Sequence, residues 1–150
     1  DLRELDGIIL SGGAARVGLT GELGNCEAYL ALDIPVLGIC AGHQFMARYY
    51  GGDARESPIP EFGAMEIQLH DGGGKIFART AEKQTVWESH NDEVHIVPEG
   101  FFVTASSPSC EVQGMENLIK IIRKYEISIG DGKKRFLSEE KTKLKDMKYW

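Results

Sequence analysis

The first half of the chain alternates short apolar runs with glycine turns. Leu5 to Leu10 is an apolar run closed by Ser11-Gly12-Gly13, which predicts a buried parallel strand. A Gly-rich loop follows, then a helix over about 25–32 with Asn25 placed as its N-cap. Pro35 to Ile39 predicts the next strand, and Phe45 to Tyr50 the body of a second helix closed by Gly51-Gly52. Strand, helix, strand, helix at this spacing predicts a parallel sheet with crossover helices. From Phe62 the pattern changes. Ala64 to Leu69, Thr85 to Glu88 and Phe101 to Ala105 alternate or run short between Gly and Pro turns, which predicts a small antiparallel extension. The fold class read from these positions is α/β.

The chemistry concentrates where the second strand meets its helix. Gly38-Ile39-Cys40-Ala41-Gly42-His43-Gln44 is the thiol counterpart of a G-x-S-x-G nucleophile elbow, in which small neighbours permit a strained turn between strand and helix. Such a turn aims the sulfur outward and sets it beside helix N–H groups, which favour a nucleophilic thiolate.

This stretch resembles the nucleophile motif of the class I glutamine amidotransferases, G-x-C-x-G-x-Q. The likeness runs over most of residues 6–116 and includes Gly7 to Gly13, Gly24 to Glu27, Glu61-Phe62-Gly63, Val86 to Val94 and Cys110 to Glu116. Within the family the serine-histidine-x-aspartate stretch and the Cys110 to Glu116 strand are most similar to the amidotransferase subunits of GMP synthases. The resemblance implies that Cys40 is the nucleophile, forming a γ-glutamyl thioester and releasing ammonia. It implies an oxyanion hole from Gly12, Gly13 and Ala41, and glutamine contacts from Gly42, Gln44, Ser89, His90 and Asn91. It also implies that Asp92 couples the chain to a synthetase. That partner, an ATP-pyrophosphatase subunit, would hold ATP and Mg and convert xanthosine monophosphate to GMP. No cofactor is expected in this chain itself. The alternative readings are an amidotransferase of another pathway and a non-catalytic docking or regulatory subunit.

Other residues receive plainer readings. His43 lies inside the elbow but is expected to be structural, and Cys26 and Cys110 to be packing residues. His70 and His95 lack partners at metal-ligand spacing, so no metal site is expected. Gly72-Gly73-Gly74 lacks the Lys and Ser or Thr of a phosphate loop.

Composition changes the picture at one place. Residues 1–116 hold seven Lys and Arg against eighteen Asp and Glu, whereas 117–150 hold ten against five. The expected division is therefore an amidotransferase-like domain over 1–116 and a divergent Lys-rich tail over 117–150, with a weak helical pattern at Leu118-Ile119-Ile121-Ile122. The family completes its triad with a late histidine-proline-glutamate motif, and this sequence has no His after His95. A strand–helix–strand unit before Asp1 is also expected by resemblance, so the chain reads as a member truncated at both ends. A rearranged or out-of-frame tail is one explanation of the missing motif; a degenerate subunit is the other. Net charge of -6 argues against nucleic-acid binding, and no apolar run reaches the length of a membrane span. Three cysteines at irregular spacing and no signal segment point to a reducing cytoplasm.

Overall fold

The computed structural model describes residues 4–32 and 34–117. The expected helical pattern after Asn117 and the Lys-rich tail lie outside them. In chain order the elements are β1 (Ile8–Leu10), α1 (Val17–Thr20), α2 (Cys26–Leu30), β2 (Val36–Gly38), α3 (Ala41–Tyr49), β3 (Asp53–Leu69), β4 (Lys83–Ile96), β5 (Phe101–Ser106) and β6 (Gly114–Asn117).

Two sheets carry the fold. β1 and β2 pair in parallel, Ile8 opposite Val36 and Leu10 opposite Gly38. The other four strands form an antiparallel sheet in the order β4-β3-β5-β6. The α/β class and the parallel start agree with the sequence reading, but the antiparallel part is the larger one among the described residues. Its size comes from β3 and β4, which extend far beyond the alternating stretches expected of them. Pro58, Pro60 and Gly63 hide the first half of β3, because prolines cannot donate to a ladder and read as loop. The chain solves this with a bulge: Glu56 pairs with Asp92 and Glu61 with His90, so residues 57–60 face the single residue Asn91. Ser57 stitches the bulge: its one hydroxyl hydrogen lies between the Ile59 carbonyl at 3.0 Å and the Glu93 carboxylate at 2.9 Å.

Helix α3 joins the two sheets. One face, with Ala41 and Phe45, packs on Leu10, Val17 and Leu30, with Cys26 and Tyr49 at the margin of this core. Its other face sets Ala47 against Val94 and Val112 beneath the antiparallel sheet. Burying such apolar side chains contributes about 1.5–3 kcal/mol each for the larger ones, which fixes the helix between the layers. A third cluster, Ile67, Leu69 and Ala105, lies within the antiparallel sheet. Asn25 stands at the N-cap of α2 as expected, although its side chain makes no capping bond. The parallel pair leaves Ile9 65% exposed. Among the described residues, no helix is long and apolar enough to cross a membrane.

Candidate active site

Cys40 sits between the end of β2 and the start of α3 with φ 51° and ψ -111°. A non-glycine residue with positive φ outside the left-handed helical basin costs roughly 1–3 kcal/mol and persists only where its surroundings enforce it. Two neighbours supply that enforcement. Gly42 lies so close to β1 that an added Cβ would stand 2.1 Å from the Leu10 carbonyl oxygen. At Gly38 a Cβ would meet Met46 Sδ at 2.6 Å. Only hydrogen at these positions lets the helix begin directly over the strands. The turn is then closed by the Gly42 N–H on the Ile39 carbonyl at 3.0 Å and the Gln44 N–H on the Cys40 carbonyl at 3.0 Å.

Gly12 borders Cys40: a Cβ there would lie 3.0 Å from Cys40 Cβ and 3.8 Å from its Sγ. Gly13 faces open space. Ala41 is buried at the first position of α3. From the opposite side β4 brings the Ser89 carbonyl to 4.0 Å from Cys40 Sγ. Ser89 and Asn91 point outward on this strand, whereas His90 between them turns inward. The loop after β1, the elbow and β4 therefore meet at the sulfur.

Three residues expected to contact glutamine or the partner are buried. Gln44 is 5% exposed, and its side-chain nitrogen donates to the Asp92 carbonyl at 2.7 Å. Gly42 is buried against β1. Asp92 is 3% exposed; it accepts from Arg16 Nε at 2.9 Å and from the Gly18 N–H at 3.0 Å. The elbow helix reaches β4 through Gln44, because a buried amide that finds a backbone acceptor avoids a desolvation cost of about 1–3 kcal/mol.

A second polar group gathers around Glu61, whose burial the sequence pattern does not show. Glu61, 2% exposed, accepts from His90 Nε2 at 2.9 Å and from Ser107, Ser109 and Gln113. Burial pushes the Glu61 carboxyl up, but the Ser107 and Ser109 hydroxyls and His90 outweigh it and hold the group below its ordinary range. The bulge in β3 is what brings Glu61 opposite His90. Glu61, His90 and Cys110 each offer a possible metal ligand, and these three atoms lie within 4.8 Å of one another. Glu61's oxygens already receive four hydrogen bonds. Burial above all pushes the Cys110 thiol up to about 11.

His43 follows Cys40 by three residues, and its Nε2 is buried without a partner. Burial, and after it the nearby His90, pushes the imidazole down to about 4. A ring that stays neutral well below neutral pH is a poor proton acceptor, in keeping with a structural role. His95 lies beside Asp53 at 3.7 Å and His70 bonds Ser106 at 2.8 Å.

Comparisons with known proteins agree with this geometry. The profile of the family described as "Glutamine amidotransferase class-I" matches residues 1–122. The chain is 39% identical over 116 residues to one subunit of the glutamine-hydrolyzing GMP synthase of Haloquadratum walsbyi, covering 77% of this chain and 61% of that one. Over 111 residues it is 42% identical to the glutamine-hydrolyzing GMP synthase of Lacticaseibacillus rhamnosus, covering 74% of this chain and 22% of the relative. Among solved structures, a GMP synthase subunit protein of Thermoplasma acidophilum superimposes with a TM-score of 0.71 at 38% identity, covering 77% of this chain and 59% of the other. The chain thus spans about three-fifths of the length of these two synthase subunits. With the strained cysteine elbow, the glycine turn beside it and a profile match over 1–122, this chain belongs to the class I glutamine amidotransferase family.

Proposed function

We propose that this chain is the glutamine-hydrolysing part of a GMP synthase, releasing ammonia that a partner synthetase uses to aminate xanthosine monophosphate. The observation that carries the reading is Cys40, held at positive φ at the start of α3 with Gly12 on one side and the Ser89 carbonyl on the other. The similarity to GMP synthase subunits supports the pathway. Glutamine is the substrate, and ATP and Mg belong to the synthetase partner.

In the proposed reaction the Cys40 sulfur gives up its proton and attacks the side-chain carbonyl carbon of glutamine. N–H groups of Gly12, Gly13 and Ala41 receive the oxyanion, an effect that in other enzymes amounts to about 3–4 kcal/mol per donor. The C–N bond breaks, the nitrogen takes a proton and leaves as ammonia, and water then hydrolyses the thioester to glutamate. Ser89 and Asn91, with the His90 backbone between them, hold the amino-acid end of the substrate from β4. Gly42 and Gln44 serve the same site by fixing the elbow helix on β1 and β4. Asp92, buried beneath the loop, would transmit the state of the partner through that loop. The domain is proposed to end near the close of β6.

A second reading is a docking or regulatory subunit. On that reading the chain docks on the synthetase without hydrolysing glutamine. Ammonia release from glutamine, measured with synthetase, ATP and xanthosine monophosphate against Cys40→Ala, decides between them. Release that vanishes in the variant establishes hydrolysis at Cys40. Equal background in both, with the synthetase still bound, establishes the docking reading.

A further inference from the structure

We infer that Arg16 is a positioning residue for the glutamine site, a role that rests on the amidotransferase reading above. Three segments must hold their places around the sulfur: the loop after β1 with Gly12 and Gly13, the elbow with Cys40 and Ala41, and β4 with Ser89 and Asn91. All three are tied at one buried residue, Asp92. Arg16 reaches it from the loop, Nε and Nη2 each 2.9 Å from Oδ1, while the Gly18 N–H takes Oδ2 at 3.0 Å. Gln44 reaches the Asp92 carbonyl from α3 at 2.7 Å. Asp92 itself lies three residues beyond Ser89 on β4, whose carbonyl faces the sulfur.

The charge balance makes Arg16 the necessary member. Asp92 is 3% exposed, and a buried carboxylate that loses its cationic partner costs several kcal/mol unless it protonates or moves. Asp92 cannot move without pulling on β4 and on Gln44. The loop is the least constrained member, since between Leu10 and Arg16 it contains Ser11, Gly12 and Gly13 and no helix or strand, although Val17 just beyond it is buried and its carbonyl accepts from Arg48 at 2.7 Å. Loss of the guanidinium therefore releases the glycine turn and leaves the elbow in place. Arg16 side-chain exposure of 36% shows that the grip is made at the rim, and the exposed Glu56 shares it at 3.4 Å.

The specific consequence is a split between two reactions of Cys40. Alkylation by iodoacetamide needs only an accessible sulfur. Labelling by a glutamine-shaped chloroketone also needs the substrate seat and the oxyanion donors in register. The test uses the full-length protein that carries this sequence, with Arg16→Gln, Arg16→Lys and, as control, Glu56→Gln. Arg16→Gln is expected to lose roughly tenfold to a hundredfold in chloroketone labelling, the scale of a misplacement near 1 Å, while iodoacetamide labelling stays within about twofold. Arg16→Lys keeps the charge without the planar fork and is expected to fall between Arg16→Gln and the parent. Glu56→Gln is expected to match the parent in both.

Parental rates with both reagents in Arg16→Gln and Arg16→Lys would overturn the inference. So would equal losses with both reagents accompanied by a lowered melting temperature, the signature of a merely structural residue. If Arg16→Gln does not fold, Arg16→Lys alone decides by the same ratio of rates. A parent that iodoacetamide labels and the chloroketone does not would overturn the amidotransferase reading, and this inference with it.

Discussion

Replacing Glu61 by Gln leaves shape almost unchanged and removes a charge from a buried place. In the native cluster His90, Ser107, Ser109 and Gln113 all direct donors at the two carboxylate oxygens. A glutamine offers one oxygen and one NH2 group, so with the oxygen toward His90 and Gln113 the Ser107 and Ser109 hydroxyls must turn from donating to accepting, and Ser107 Oγ already accepts from the Cys110 N–H. Hydrogen bonds to a charged acceptor contribute about 1.5–3 kcal/mol each, and breaking a buried pair costs about 3–5 kcal/mol. We therefore expect Glu61→Gln to lose about 3–5 kcal/mol, a large part of the ~5–15 kcal/mol available to a domain. For a chain of this size the melting temperature, followed by circular dichroism, should fall by roughly 10–20 °C. The pH dependence adds a second check. Glu61's carboxyl is held below its ordinary range, so its stabilisation is complete above that range and is lost as the pH falls through it. The Glu61→Gln variant should lack that part of the acid loss. A melting temperature within about 2 °C of the parent at neutral pH, with an unchanged acid limb, would refute the argument that this cluster holds β3, β4 and the β5–β6 connection together.

Two further changes probe the elbow. Gly42→Ala sets a methyl 2.1 Å from the Leu10 carbonyl oxygen, so α3 must lift from β1. The expected loss is about 1–3 kcal/mol or more in urea unfolding, together with slower labelling of Cys40; an unchanged midpoint and rate would contradict the close approach. His43 acts in the same direction as Glu61, over a higher pH window. Its imidazole is pushed down to about 4 from an ordinary 6.5, so the unfolded chain takes up a proton first and stability falls as the pH drops below about 6.5. The cost works out to about 2 kcal/mol at pH 5, and His43→Gln should remove it from the difference between urea midpoints at pH 7 and pH 5. Identical differences in parent and variant would show that the ring is hydrated.

The elbow was legible because every determinant of it is local. Strand, strained cysteine, small neighbours and helix occupy consecutive residues from Val36 to Tyr49, and Gly38 and Gly42 declare the close packing by their lack of a side chain. The first half of β3 was not legible, since Pro58, Pro60 and Gly63 carry loop signals that the partner strand overrides through a bulge. Helix α1 escaped for a related reason: its four residues are too few to display a period.

By itself, then, the sequence determined the family, the cysteine elbow and the parallel start of the fold, all of which rest on neighbours in the chain. Only the tertiary structure decided what Glu61, Arg16, Gln44 and Asp92 do. Glu61 meets His90 across 29 residues and Gln113 across 52, and Arg16 meets Asp92 across 76. A carboxylate looks the same in sequence whether water or four donors surround it. Its environment is set by which strands pair and where a bulge turns them, and that pairing is a property of the packed sheet.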